Sequence, residues 1–432
     1  MAFRLRQYVK ASLWIIPLFG LLLGVVLAEC AAALDGADWL PYHWHYSATT
    51  ASSVLSSVVG AMIALLGFVV TIGVLVVQQA TGTLSPRYMR LWYRDRLQKA
   101  VLAIFTGTFA FAYTLLSSIE SDSVPDLGVT LAGAAVAVSL LLLLVYLNRF
   151  THNLRPVAIA DLVGEMGAQV LVRGAARVRS AAVRGGEPPL PPGPVAHLRS
   201  ERGGVVQAID VAGLMAAATR QDCVFVMVHP VGDFVAPGAT LVEVHGSGAQ
   251  ALDPRQVTGR VALGAERTIE QDPAFALRIL VDIAIRALSP AVNDPTTAVQ
   301  VLNHIEAFLY TVGRIGLRSR YVLADDRGRP RLVVPGRTWE DYLQVGVTEI
   351  REYGATSLQI CRRLRALLDG LRETLSAEHL PAVRGELEFL EEAVERTFTD
   401  PRRNALARTA DPQGIGGGRH PDATPPAGRG QG

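Results

Sequence analysis

The sequence predicts a four-helix, all-α transmembrane domain followed by an α+β cytoplasmic domain that holds a small β module and helical hairpins. Three observations predict it. Four long apolar runs crowd into the first third of the 432 residues. Basic residues occur only in alternate connections between those runs. Downstream, the apolar pattern changes to strand-like alternation and then to three- and four-residue spacings.

The transmembrane domain occupies residues 1–150, with spans near 13–34, 54–77, 100–118 and 127–147. Each run reaches the ~17–25 residues a helix needs to cross ~30 Å of hydrocarbon. A helix satisfies its own backbone polar groups there, where water cannot. Arg4, Arg6 and Lys10 precede the first run, and the connection from Asp35 to Thr50 has no Lys or Arg. Arg87, Arg90, Arg94, Arg96 and Lys99 fill the second connection. The third carries Glu120, Asp122 and Asp126, and Arg149 and Arg155 follow the fourth run. This alternation puts both termini on the cytoplasmic side.

The first run has the basic start of a signal peptide, and Leu27-Ala28-Glu29-Cys30 brushes a lipoprotein box. Glu29 is wrong for that box and the run is long for a signal, so an uncleaved span is expected. Trp39, Tyr42, Trp44 and Tyr46 in the outer connection are the amphipathic aromatics of a membrane–water interface. His43 and His45 lack further ligands and read as solvated loop rather than metal site.

The second span carries a patterned face. Ser53, Ser57, Gly60, Ala64, Gly67 and Thr71 recur at helical spacing, and Gln78 continues them at the inner end. Small residues let helices approach closely in lipid, so one reading is a packing seam, within the chain or between subunits. The other is a pore or cleft lining, since Ser, Thr and Gln also face water. No ionisable residue sits in the middle of a span, which argues against proton-coupled transport and leaves a passive channel open.

Composition excludes several classes. A net charge of +2 gives no nucleic-acid footprint. Cys30, Cys223 and Cys361 are far apart and form no metal or disulfide pattern. No P-loop, GxSxG, HExxH or paired Cys/His set is present, so no catalytic residue, metal or cofactor is expected and the protein reads as a non-enzyme.

Residues 151–184 read as a helix leaving the membrane, and 185–202 as a Pro/Gly linker. Residues 203–262 read as a small β module, with branched apolar runs around turns at Gly232-Asp233 and Pro237-Gly238. The module is similar to biotinyl- and lipoyl-like domains and to the ligand-binding lobes of some potassium channels. It has no lysine, which excludes covalent biotin or lipoate.

Residues 263–400 read as mainly helical. Asp272-Pro273 and Asp294-Pro295 look like helix starts, with Asp as N-cap and Pro in the first turn. The first helix would run to about Leu288, with Arg278, Asp282 and Arg286 as one charged stripe. One reading of this stretch is caps plus an ion-pair ladder. The other is a polar ligand pocket of Arg267, Gln271, Asp272, Asp282, Arg286, Ser289, Asn293, Asp294 and Thr297. In that pocket Arg267 and Arg286 would clamp a small anion, helped by two helix N-termini. Arg320 to Val334 could add a hairpin, Trp339 to Phe398 is helical with Pro381 starting the last helix, and 401–432 reads as a disordered tail.

These stretches carry a family resemblance. Ser53 through Leu84-Ser85-Pro86-Arg87, Arg94-Asp95-Arg96 and Thr108-Phe109-Ala110-Phe111 resemble the bacterial predicted membrane proteins catalogued as domain of unknown function twenty-two fifty-four. So do Gly232-Asp233-Phe234-Val235, Glu266-Arg267-Thr268, Gln271-Asp272-Pro273-Ala274-Phe275, Arg286-Ala287-Leu288-Ser289-Pro290 and Asn293-Asp294-Pro295. The resemblance covers about residues 10 to 400. It implies a multi-pass protein of the bacterial inner membrane and transfers no activity. The expected function is an oligomeric channel or permeability regulator, in contact with membrane lipids and with copies of itself. The alternative is a non-conducting scaffold or sensor.

Overall fold

Ser47 sets where the second apolar helix begins. Its Oγ accepts from the Thr50 amide at 3.2 Å and caps the first turn. That cap, and the lack of any proline up to residue 83, lets this helix run well past the expected 54–77 at both ends. The structure is a computed structural model that describes residues 12, 14–34, 46–83, 96–120, 124–153, 155–181, 193–246, 248 and 252–416. Outside the described residues lie the basic Arg4, Arg6, Lys10, Arg87, Arg90 and Arg94, then Trp39, Tyr42, His43, Trp44 and His45, residues 185–192 of the expected linker and residues 417–432 of the expected tail.

The chain divides into two units, Met1–Ala158 and Ile159–Gly432. The first holds helices α1 (Ile15–Leu34), α2 (Ala48–Thr83), α3 (Arg96–Ser117) and α4 (Asp126–Asn153). By length and composition all four are candidate membrane spans. Their shared core includes Leu55, Met62, Phe105 and Leu115, all fully buried.

The α1–α3 contact is made by backbone. A Cβ at Gly20 would strike the Ala103 carbonyl, and one at Gly24 the Gly107 carbonyl. Ala28 and Ala31 continue the buried stripe of α1. Thr106 Oγ1 donates to the Pro17 carbonyl across this contact at 3.1 Å. Close backbone approach and interhelical hydrogen bonds are what hold helices together in hydrocarbon. At one end of the unit, the Tyr46 amide donates to Asp126 Oδ1 at 2.8 Å and ties the start of α2 to the start of α4.

The boundary between the units falls in the first turn of α5 (Pro156–Ala181), most of which belongs to the second. Two sheets follow, built from β1 (Ala196–Arg199), β2 (Gly204–Ile209), β3 (Val224–Met227), β4 (Phe234–Val235), β5 (Thr240–His245) and β6 (Val261–Gly264), with β7 (Arg320–Ala324) and β8 (Pro330–Pro335) arriving later. The five-stranded sheet has the order β1-β5-β3-β8-β7 and the three-stranded sheet β4-β2-β6. Among the described strands all pairs are antiparallel except β3 with β8, where Phe225 faces Leu332. Helices α6 (Val211–Arg220) and α7 (Pro254–Thr258) sit within this β part. The helical part comprises α8 (Pro273–Leu288), α9 (Pro295–Gly313), α10 (Trp339–Gly354), α11 (Leu358–Thr374), α12 (Leu380–Thr397) and α13 (Pro401–Ala407). α8 is its central member, with ten of its 16 residues buried. α5 docks on α8 and α9 through Gly167, where a Cβ would lie 2.5 Å from that of Ala276 and 2.8 Å from the Phe308 ring.

The structure corrects several expectations. The β module is not confined to 203–262. It starts at Ala196, inside the expected 185–202 linker, and is completed by β7 and β8. Buried Arg331 on β8 donates to Asp325 at 3.0 Å and to Asp222 at 2.8 Å, beside the start of β3. The stretch read wholly as β contains α6, because Asp210 caps the Gly213 amide at 3.0 Å and Leu214, Ala217 and Ala218 form a buried helical face. The exit helix is broken near Pro156, so residues 151–153 belong to α4.

The stretch expected to be disordered from 401 on is structured over residues 401–416. Asp400 caps α13, and buried Arg362 donates to the carbonyls of Thr409 at 3.1 Å and Gly416 at 3.0 Å. Pro381 does lie in the first turn of α12, but α12 is not the last helix, since α13 follows it.

The α1–α3 contact gives a direct test. Gly24→Leu should destabilise the protein in detergent by about 1–3 kcal/mol or more, read as a lowered thermal midpoint. Leu23→Ala, on the exposed side of α1, should stay within about 0.5 kcal/mol.

Candidate functional site

Two regions hold the residues singled out by sequence. The first is the stripe on α2. The residues of α2 that enter the core are Ala51, Leu55, Val58, Met62, Val69 and Ile72. At helical periodicity these lie opposite the stripe. Ser53, Ser57, Gly60, Ala64, Gly67, Thr71 and Gln78 are all exposed. Among the described residues nothing comes within 4 Å of a Cβ built on Gly60 or Gly67. Among the described residues the stripe is therefore not a packing seam; Gly20, Gly24 and Gly107 fill that role.

The hydroxyls of the stripe turn back on their own helix. Ser57 Oγ donates to the Ser53 carbonyl at 2.8 Å and Thr71 Oγ1 to the Gly67 carbonyl at 2.9 Å. Bonded this way, they can face an apolar surface without loss. Toward the start of α2 the stripe opens on a shallow cleft of about 590 Å³ lined by Ala48, Thr49, Ser52, Ser53, Ser56 and Ser57. Large apolar side chains, Ile63, Phe68, Val70 and Val74, are exposed on either side of it, and beyond Thr71 the exposed Leu75 falls on the same face.

The second region is α8 and its two ends. Asp272 caps α8 through the Phe275 amide at 3.2 Å. Asp294 caps α9, accepting from the Thr297 amide at 3.0 Å and the Thr297 hydroxyl at 2.6 Å. Those bonds, the hydroxyl's first, hold the Asp294 carboxyl below its ordinary value. The turn between the helices is tight. Asn293 takes a left-handed φ of +47°, Ser289 Oγ donates to the Arg286 carbonyl at 2.8 Å, and the Asp294 amide bonds Ala287 at 2.8 Å.

This hairpin separates the residues expected to share a pocket. Asp272 and Asp294 sit at opposite ends of a 16-residue helix, roughly 24 Å apart at about 1.5 Å per residue. Arg267 and Gln271 stay with Asp272; Arg286, Ser289, Asn293 and Thr297 stay with Asp294. The two N-termini do not converge, and Arg267 and Arg286 cannot grip one anion. Gln271 is spent on β2, where its Oε1 accepts from the Ile209 amide at 3.0 Å and its Nε2 donates to the Ile209 carbonyl at 3.3 Å. Asp282 accepts from Arg278 at 2.8 Å, and Arg278 reaches on to both oxygens of Glu349 on α10, one of them at 2.8 Å. The charged stripe of α8 is thus knit to its neighbouring helix.

Sequence reasoning missed Arg337 and Tyr342, which join Gly232, Arg267 and Asp272 at the start of α8. Arg337 acts electrostatically on the Asp272 carboxyl, as does Arg267. Burial, and then the Asp272 charge, push the Tyr342 hydroxyl up. No local pattern announces either residue, since they come from the β8–α10 connection and from α10. Among the described residues no three His, Cys, Asp or Glu side chains gather as a metal site requires. Cys223 and Cys361 are buried free thiols, each pushed up to about 11 by that burial.

Comparison with known proteins gives a family and no activity. The family described as Predicted membrane protein (DUF2254) matches residues 10–370, a range that includes the α2 stripe and both ends of α8. An uncharacterised protein of Mycobacterium tuberculosis is 30% identical over 415 residues, covering 93% of this chain and 79% of the relative. An uncharacterised protein of Mycobacterium bovis is similar to the same extent. No solved structure matches.

The separation along α8 has a measurable consequence. The destabilisations caused by Arg267→Ala and Arg286→Ala should add to within about 0.5 kcal/mol in the double variant. A larger coupling energy from chemical denaturation would mean that the two arginines share a site after all.

Proposed function

The chain belongs to the DUF2254 family of predicted membrane proteins, and from that premise we propose that it is a non-enzymatic, oligomeric channel or permeability regulator of the bacterial inner membrane. Both termini and the second unit face the cytoplasm, in keeping with the alternating Lys and Arg of the connections. The second unit holds the assembly together or senses the cell's state.

One observation carries this reading. The face of α2 turned away from the core is small and hydroxylated, where a helix that met only lipid would be large and apolar. Gly60 and Gly67 leave backbone open to close approach, and the neighbour that fits such a face is another α2. A closed ring of copies would bring these faces together around an axis. The Ser-lined cleft at the start of α2 would then be the mouth of the path, and Gln78 its other end.

A second reading, a scaffold or sensor that conducts nothing, has its own supporting observation. The charged residues of the candidate spans, such as Glu29, Lys99, Asp126 and Arg149, stand toward helix ends rather than at mid-span.

Light scattering in mild detergent and ion flux in liposomes test the proposal together, using the native chain and a Gly67→Leu, Thr71→Val double variant. The expected result is an oligomer that passes ions, with flux lost or altered in the variant. Oligomers without flux across several ions and membrane tensions would favour the scaffold. Strict monomers would overturn the proposal.

A further inference from the structure

Asp272 has one oxygen with a task and one without. Oδ1 caps α8. Oδ2 is buried and has no hydrogen-bond partner among the described residues, in a residue only 2% exposed. Several pieces of the second unit close on it. Gly232, in the β3–β4 turn, has a φ of +98° and lies so near that a Cβ there would strike Oδ2. Arg267, from the loop before α8, donates its Nε to the Gly232 carbonyl at 2.8 Å and so clasps the same turn. Arg337 and Tyr342 bear on the carboxyl from the β8–α10 connection and from α10.

Neither arginine hydrogen-bonds Oδ2, so the charged form is left incompletely matched in a dry place. Burial raises the Asp272 carboxyl above its ordinary 3.8 more than Arg337 and Arg267 hold it down. Tyr342 brings no positive charge. The other acidic groups on these elements, Asp233, Glu266, Glu270 and Asp341, can only oppose a second negative charge.

We propose that Asp272 is a proton-operated catch, which holds the Gly232 turn closed on the start of α8 when protonated and releases it when ionised. The turn belongs to the β part and α8 is the centre of the helical part, so the catch governs how firmly the two parts of the second unit are joined. It does not depend on whether the protein conducts. The sign follows from linkage. A carboxyl raised by folding contributes stability that is full below the unfolded value, and that contribution is lost as pH rises through the folded value.

The test is amide hydrogen exchange of the full chain in detergent from pH 4 to 8, followed in segments 228–236 and 266–276 and normalised to the intrinsic exchange rate at each pH. In the native protein, protection of both segments should fall with rising pH, by about tenfold for each pH unit by which closure raises the carboxyl. Asp272→Asn keeps an N-cap and cannot ionise, so its protection should stay at the acid level throughout. Arg337→Gln removes the larger of the two attracting charges and should move the transition to higher pH. A pH-independent native profile, or a transition of the same size and midpoint in Asp272→Asn, would overturn the proposal. If Asp272→Asn does not fold, an unmoved midpoint in Arg337→Gln does so in its place.

Discussion

Apolar side chains gain nothing by leaving hydrocarbon for one another, and that constraint decides what each face of the first four helices can do. Helices in lipid are held by backbone proximity and by hydrogen bonds, both of which require small residues at the contact. Two such surfaces stand out among the described residues. One, along Gly20, Gly24 and Gly107, is closed within the unit and fixes α1 to α3. The other, along α2 from Ser53 to Thr71, is built of the same residue types and is exposed, with nothing among the described residues against Gly60 or Gly67. A protein that needed α2 only to span the bilayer would have no use for small residues on that side.

The second unit solves a different problem, burying a helix that still carries charge. α8 contributes ten buried residues and also Arg278, Asp282 and Arg286. Arg278 is matched twice over, by Asp282 and by Glu349, and its guanidinium is held charged by the Glu349 bond most of all. The half-buried charges of Arg278 and Asp282 cost little only because each finds a partner. The exception is Asp272, just before the helix, whose buried Oδ2 has no hydrogen-bond partner among the described residues.

The fold was legible in sequence wherever a local signal was long or chemically specific. Span length and apolarity located the four helices, and the Asp-Pro pairs located the starts of α8 and α9. The same Asp-Pro pair at Asp400-Pro401 starts α13, but the Gly- and Pro-rich stretch after it overshadowed it. Gly20-x-x-x-Gly24 was equally visible and lay unread inside an apolar run. What could not be read was non-local. The parallel pairing of β3 with β8 joins segments about a hundred residues apart, and Arg337 and Tyr342 approach Asp272 only through that pairing and the helix after it. The shared anion pocket of Arg267 and Arg286 was a failure of a different kind. Helical rise alone separates the two ends of α8.

The claim that most depends on all of this is that the α2 stripe meets a second copy of itself. Cysteine cross-linking in native membranes measures it directly, in a chain whose Cys30, Cys223 and Cys361 are replaced by alanine. The account predicts disulfide-linked dimers for Gly60→Cys and Gly67→Cys. It predicts none for Met62→Cys, which faces the core, and few for Phe68→Cys, which flanks the stripe about 100° around the helix from Gly67. Equal cross-linking at Phe68 and Gly67, or none at Gly60 and Gly67, would contradict it.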